Sequence, residues 1–205
     1  MNRNVLVKRY ILPKINNEEV LRYMGVKVCD DMTGKLVKEC IEICDSDSVF
    51  LPNVCCLVCD LDIRNEKLLF DDIKVESMSL SRHLAGCNRA VLFAATVGVG
   101  IDRLIEKYSR LSASKALCFN AIGAQRIEDL CDLFCDDIKK DYSEYSHTLR
   151  FSPGYGDFDI GFQKDIFKLL NCPKNIGLSL CDSFIMSPSK SVTAIIGLKS
   201  KELTE

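Results

Sequence analysis

The 205-residue chain is 47% hydrophobic and 27% charged, with 27 basic against 29 acidic residues and a formal net charge of −2. That length supports one or two domains with a sizeable core, and the even balance of charge gives no reason to expect a nucleic acid or a membrane surface as partner. No apolar run reaches the roughly 18–20 residues that span a bilayer, and residues 1–14 lack the basic-then-apolar pattern of a secretory signal.

In chain order, Asn16 and Asn17 followed by Glu18 and Glu19, with Gly25 as a stop, predict a short helix over 18–24. Met32, Leu36, Val37, Cys40, Ile41 and Cys44 recur at helical spacing, so a second helix is expected over 30–44. Residues 54–63 and 67–70 read as strands turning at 64–66, and 71–75 as a possible third. A short helix over 79–84 ends at Gly86. The unbroken apolar run 90–96 predicts a central strand. Gly98 and Gly100 lead into a helix over 101–108. Residues 112–140 read as one long helix with the apolar stripe Leu117, Ala121, Ala124, Ile127, Cys131, Phe134 and Ile138. A Gly-rich loop over 149–159 precedes a helix over 163–170, and 184–186 and 192–198 are strand-like. Helices and strands come in runs, which predicts an α+β fold with an antiparallel or mixed sheet and several helices, one of them long and central. The expected organisation is a single unit over 1–205, with a helical and strand part at 1–85 and a ligand-binding core at 86–205.

Five segments carry residues suited to chemistry. Arg150-Phe151-Ser152-Pro153-Gly154-Tyr155-Gly156-Asp157 joins a planar cation, bare backbone at the glycines and an aromatic face. Arg150 suits a carboxylate; a surface turn is the plain alternative. Glu128 and Asp132, four residues apart on the long helix, share a face and repel each other, which a cation between them would relieve. A solvated acidic face explains them equally. Residues 96–102 resemble a phosphate loop superficially, but Arg103 stands where the third Gly would be and no P-loop Lys follows; a close strand-to-helix turn is expected. Cys56 and Cys59 form a lone C-x-x-C behind Cys55, without the second pair of a zinc ribbon. Most of the twelve cysteines are expected to be buried, reduced and cytosolic. Residues 183–191, rich in Ser around Pro188 and Lys190, suit either an anion or a hairpin connection.

The Arg150–Asp157 segment, with Gln163 and Leu169-Leu170 after it, resembles the activation domain of cobalamin-dependent methionine synthase. The resemblance continues through Ile176-Gly177-Leu178, Ser183-Phe184-Ile185-Met186 and Pro188-Ser189-Lys190-Ser191-Val192. Upstream, Leu21-Arg22-Tyr23-Met24-Gly25, His83-Leu84-Ala85-Gly86-Cys87 and Leu92-Phe93-Ala94-Ala95-Thr96-Val97-Gly98 are similar to short stand-alone members. It therefore covers nearly the whole chain.

The resemblance implies binding of S-adenosylmethionine and, through it, reductive methylation of cobalamin on a corrinoid-bearing methionine synthase or related methyltransferase, with a flavodoxin or ferredoxin as reductant. It implies that Arg150 pairs with the methionine carboxylate and that Ser152 and Gly154 line the ligand. It further implies that Tyr155 lies against the ligand and that Glu128 meets its ammonium group. Asp30 and Asp31 are candidates for a further acidic contact near the N-terminus. The sequence departs from the large synthases in lacking a Tyr-Tyr pair after 195–199, and neither His83 nor His147 stands in an Asp-x-His-x-x-Gly cobalamin motif. Cobalamin is therefore expected only through a partner protein. The competing reading is a module of the same fold that binds or senses S-adenosylmethionine without transferring its methyl group; a thiol or metal protein built on Cys55, Cys56 and Cys59 is a third.

Overall fold

The computed structural model describes residues 4–46 and 49–201. Strand β1 (Leu6–Arg9) is followed by helices α1 (Asn17–Tyr23) and α2 (Asp31–Ser46). A long strand β2 (Asn53–Arg64) and the short β3 (Lys67–Phe70) and β4 (Ile73–Glu76) form a meander, and α3 (Met78–His83) leads to β5 (Arg89–Thr96). Helix α4 (Gly100–Ser109) precedes the 29-residue α5 (Ala113–Asp141) and β6 (Tyr145–His147). A 3-10 turn (Ile160–Phe162), α6 (Gln163–Leu170) and α7 (Cys172–Ile176) follow, then β7 (Ser179–Leu180), β8 (Met186–Ser187) and β9 (Ser191–Ser200).

The main sheet runs β4-β3-β2-β5-β9-β6, with β1 paired to the first half of β2. Every pairing between the named strands is antiparallel, which removes the mixed-sheet alternative. β5 sits at the centre, bonded to β2 on one side and β9 on the other. Side chains alternate across a strand. Val91, Phe93 and Ala95 therefore enter one core with α1, α2, α4 and α5, while Ala90, Leu92 and Ala94 enter another with α3, α6 and α7. Burial on both faces is why the run reads as continuously apolar although the sheet is antiparallel. Each fully buried Leu, Ile or Phe contributes about 1.5–3 kcal/mol before entropy is counted.

Local signals set the helix ends. The Asn16 side chain accepts from the Glu18 and Glu19 amides, and Gly25 at φ +74° turns the chain away from α1. The Ser112 side chain caps α5 by accepting from the Lys115 amide. The stripe expected on α5 holds at Ala121, Ile127, Cys131, Phe134 and Ile138, all buried, but Ala124 is half-buried and Leu117 is 48% exposed. Cys118, Phe119 and Ile122 take its place, because the first turns of α5 pack against α4 and α2 rather than the sheet. Met32 is likewise exposed at the start of α2, whereas Val37, Cys40 and Cys44 are buried.

Two strands of the main sheet, β1 and β6, lie where no strand is expected from the sequence. The expected strand at 184–186 shrinks to β8, whose only partner is β7 in a separate ribbon. Phe184, at φ +62°, belongs to the turn between them.

Candidate functional site

The loop carrying Arg150 is hung on β9. β6 pairs with the end of β9, the Thr148 amide donates to the Gly197 carbonyl at 3.0 Å, and Phe151 and Ile195 exchange two backbone hydrogen bonds of 2.9 Å each. This path lays residues 145–151 along the sheet edge, over the exposed flank of α5. Arg150 Nη2 there donates to Glu128 Oε2 at 2.6 Å and to Asp132 Oδ1 at 3.3 Å. The Arg150 side chain is 25% exposed and that of Glu128 42%. The i, i+4 carboxylate pair on α5 thus shares one cation, and that cation is Arg150.

The neighbouring Asp129 is engaged elsewhere: Arg126, itself buried, donates to it at 3.0 Å and to the Pro13 carbonyl at 2.7 Å. Of the two adjacent acids on α5, Glu128 is therefore the one beside Arg150. Burial pushes the Asp129 carboxyl up, and Arg126 partly offsets this. Burial works against the charge on Arg150, but the Cys131 sulfur, Glu128 and Asp132 outweigh it, so the guanidinium holds its proton more tightly than usual. The Cys131 thiol is itself pushed up to about 12 by burial and is uncharged at neutral pH. The two carboxylates thus set the local field.

Past Arg150 the chain folds tightly. Pro153 is buried. The Gly154 amide donates to the Phe158 carbonyl at 2.8 Å, and the Phe158 amide returns to the Tyr155 carbonyl at 3.0 Å. Gly154 and Gly156 sit at φ +96° and +58°, where a side chain is strained. At Gly156 an added Cβ would also run into the Ser79 side chain. Tyr155 is 58% exposed, with its ring edge-on to Phe151 at 5.6 Å between centroids. Asp157 accepts from Ser77, Met78 and Ser79 at the start of α3, and these bonds hold its carboxyl well below the usual range.

A cleft of about 520 Å³ opens beside Arg150, lined also by Asp132, Cys135, Asp136, Lys139, Thr148 and Leu149. That volume lies within the range of small-ligand pockets, roughly 300–1,000 Å³. A second cleft of about 500 Å³ lies over β3 and β4 between Arg64, Lys67 and Glu76, away from this constellation. The Arg150 cleft joins two cations, Arg150 and Lys139, to two acids, Asp132 and Asp136, groups that suit the charged ends of a zwitterion.

The remaining sequence candidates serve the fold. Gly98 and Gly100 form the expected strand-to-helix turn, and a Cβ at Gly100 would collide with the Val49 carbonyl oxygen. In the 183–191 segment, Ser189 donates to Asp102 through its amide at 2.8 Å and through its hydroxyl, Ser191 Oγ donates to the Pro188 carbonyl, and Lys190 donates to Asn120 at 2.7 Å. Those serines dock the β8–β9 connection on α4. Asp30 takes the Thr33 amide at 2.7 Å and so caps α2, while Asp31 lies in its first turn. On β2, Cys56 enters the helical core and Cys55 and Cys59 the opposite one. Residues three apart in a strand point to opposite faces, so this C-x-x-C cannot chelate one ion. Among the described residues no cluster of His, Cys, Asp and Glu has the geometry for a metal. All twelve cysteines are reduced thiols; Cys29 and Cys181 are exposed and Cys135 half-buried.

Sequence reasoning missed the parts taken by His83 and Asp157. His83 Nε2 lies 2.7 Å from the Leu149 carbonyl oxygen, and its ring packs on Phe151. A composition-level signal for either contact is lacking, since both join segments far apart in the chain.

The fold and site define a small α+β protein with an antiparallel sheet, helices on both faces and a charged loop seated on a long helix. The model of the family described as vitamin B12 dependent methionine synthase, activation domain, matches residues 81–202, more than half of the chain, and the chain belongs to that family. Among solved structures it is similar to the MetH reactivation domain bound to AdoHcy, with a TM-score of 0.70 and 14% sequence identity over 99% of this chain and 81% of that one. No curated protein matches. No described helix is long and apolar enough to cross a membrane.

Proposed function

We propose that this chain binds S-adenosylmethionine at the Arg150 loop and presents it for reductive methylation of cobalamin carried by a corrinoid-bearing methionine synthase or related methyltransferase. When bound, S-adenosylmethionine supplies the methyl group, and a reductant such as a flavodoxin or ferredoxin supplies the electron. One observation carries the reading: Arg150 rests on Glu128 and Asp132, and the same loop carries an exposed Tyr155. The ligand's amino-acid end is a zwitterion. Its carboxylate matches the guanidinium fork of Arg150, and its ammonium matches the two acids that Arg150 bridges without a ligand. The net charge of −1 over these three residues complements a sulfonium. Tyr155 offers its face to the adenine or the sulfonium, and the backbone at Ser152 and Gly154 permits close approach. The role left to the chain is to fix both charged ends and hold the methyl group in line, which needs no general base. Residues 1–205 are proposed to act as one unit, since β2 from the first part and β5 from the second share eight register pairs. Membership of the activation-domain family supports the reading, and the AdoHcy carried by the similar reactivation domain agrees with it.

Calorimetric titration with S-adenosylmethionine and S-adenosylhomocysteine is the test. Wild-type protein is expected to bind both, the sulfonium more tightly. Arg150→Ala should weaken binding by about 1.5–3 kcal/mol, the worth of a charged hydrogen bond. No binding at millimolar ligand removes the reading. Binding without reactivation of an added corrinoid protein points instead to a sensor of the methyl donor.

A further inference from the structure

One six-residue helix, α3, holds both ends of the Arg150 loop. At its start, Asp157 accepts hydrogen bonds from Ser77 Oγ at 2.7 Å, the Met78 amide at 2.8 Å and the Ser79 amide at 2.9 Å. At its last residue, His83 reaches the Leu149 carbonyl oxygen at 2.7 Å and lays its ring on Phe151 with centroids 4.7 Å apart. A carbonyl only accepts, so Nε2 carries the hydrogen in the neutral ring and the charged ring alike. Leu149 and Phe151 flank Arg150 on either side, and Asp157 lies two residues past Tyr155. Leu80 and Leu84 anchor α3 in the core behind it, both fully buried. Gly156 brings the loop so close to Ser79 that no side chain fits between them.

The β9 edge secures the loop only as far as Phe151. Beyond that point the turn closes on its own Gly154–Phe158 and Phe158–Tyr155 bonds, with Pro153 and Phe158 buried, while its tip, Tyr155, is exposed. Asp157, between the exposed tip and Phe158, ties that tip to α3, and a binding constellation loses affinity when its support is loose. We infer that α3 is the brace of this loop, with His83 a positioning residue for Arg150 and Asp157 a positioning residue for Tyr155. The functional meaning of the brace rests on the donor-binding reading above.

Two ligands separate positioning from general stability. S-adenosylmethionine has an amino-acid end for Arg150 to hold; 5′-methylthioadenosine has the adenosyl part without it. His83→Phe keeps a ring on Phe151 and removes the donor, while His83→Gln keeps a donor near the same place. His83→Phe is expected to weaken S-adenosylmethionine roughly three- to tenfold, the effect of one neutral hydrogen bond. Binding of methylthioadenosine should not change, and His83→Gln should recover part of the loss. Equal losses for both ligands, or no loss at all, overturn the role of His83. Amide hydrogen exchange over residues 148–158 tests the brace without ligand. Exchange should quicken in His83→Phe and in Asp157→Asn; unchanged exchange in both overturns the brace. If wild-type protein binds neither ligand, the donor-binding reading fails, and the exchange result alone decides the brace.

Discussion

A guanidinium seated on two carboxylates through one nitrogen, Nη2, keeps its other donors for a further acceptor. On the proposed reading, a ligand carboxylate that drew Arg150 off its 2.6 Å bond to Glu128 would bring an ammonium to neutralise Glu128 and Asp132 in its place. Charge is conserved through the exchange, so it does not leave a bare acid on α5. The glycines nearby set a second constraint. Gly156 combines a left-handed backbone with contact to Ser79, whereas Gly177, at φ +66°, has open space where a Cβ would stand. Gly177→Ala should cost about 1 kcal/mol from its backbone alone, and Gly156→Ala more, about 2–3 kcal/mol, because Ser79 must also move. Melting curves of the two variants compare them directly; equal shifts would mean that the Ser79 contact yields freely.

Among the elements, the start of α3 depends on a carboxylate from another segment. Asp157 is held well below its ordinary range by Ser77, Ser79 and Met78. A depressed carboxyl contributes stability above its unfolded value of about 3.9, and the contribution disappears as falling pH protonates the folded form. Asp157→Asn should therefore lower the melting temperature at neutral pH and leave it nearly unchanged in strong acid. A variant that lowers it equally at both pH values would show that the carboxylate's charge is not what holds α3.

The elements differ in how far their sequences reveal them. α5 and β5 are legible because period and length agree with no competitor: a 29-residue helix keeps its buried spacing from Ile127 onward, and residues 90–95 are apolar throughout. β1 is not legible. Its four residues include Lys8 and Arg9, its two apolar side chains are exposed, and its ladder is completed by β2 far along the chain. β6 has three residues and is defined only by the end of β9. In the site, residue types stood out before geometry did: Arg150, the two glycines and Tyr155 are conspicuous together. That Arg150 meets Glu128 and not Asp129 follows from where β9 carries the loop and from Arg126 occupying Asp129, neither of which spacing encodes.

Taken whole, the molecule is one sheet between two cores, and β5 feeds both. Damage to either face should therefore be felt as a single event. Phe93 is fully buried on the helical face, 4.7 Å from Phe134 between centroids. Phe93→Ala should destabilise by about 3–5 kcal/mol while leaving one calorimetric transition whose van't Hoff and calorimetric enthalpies agree. Two separated transitions would mean that the faces melt independently.

The thiols give the same molecule a built-in clock. Two cysteines, Cys29 and Cys181, face solvent, Cys135 is half-covered at the cleft, and the other nine lie buried on both sides of the sheet. An alkylating reagent meets these groups in order of exposure, so the count of adducts in a mass spectrum records how far each layer has opened. Cys135 stands in the wall of the Arg150 cleft, where a ligand bound as proposed would shield it. A single residue thereby reports occupancy, and its nine buried companions report the integrity of the scaffold, in one spectrum and without an added label.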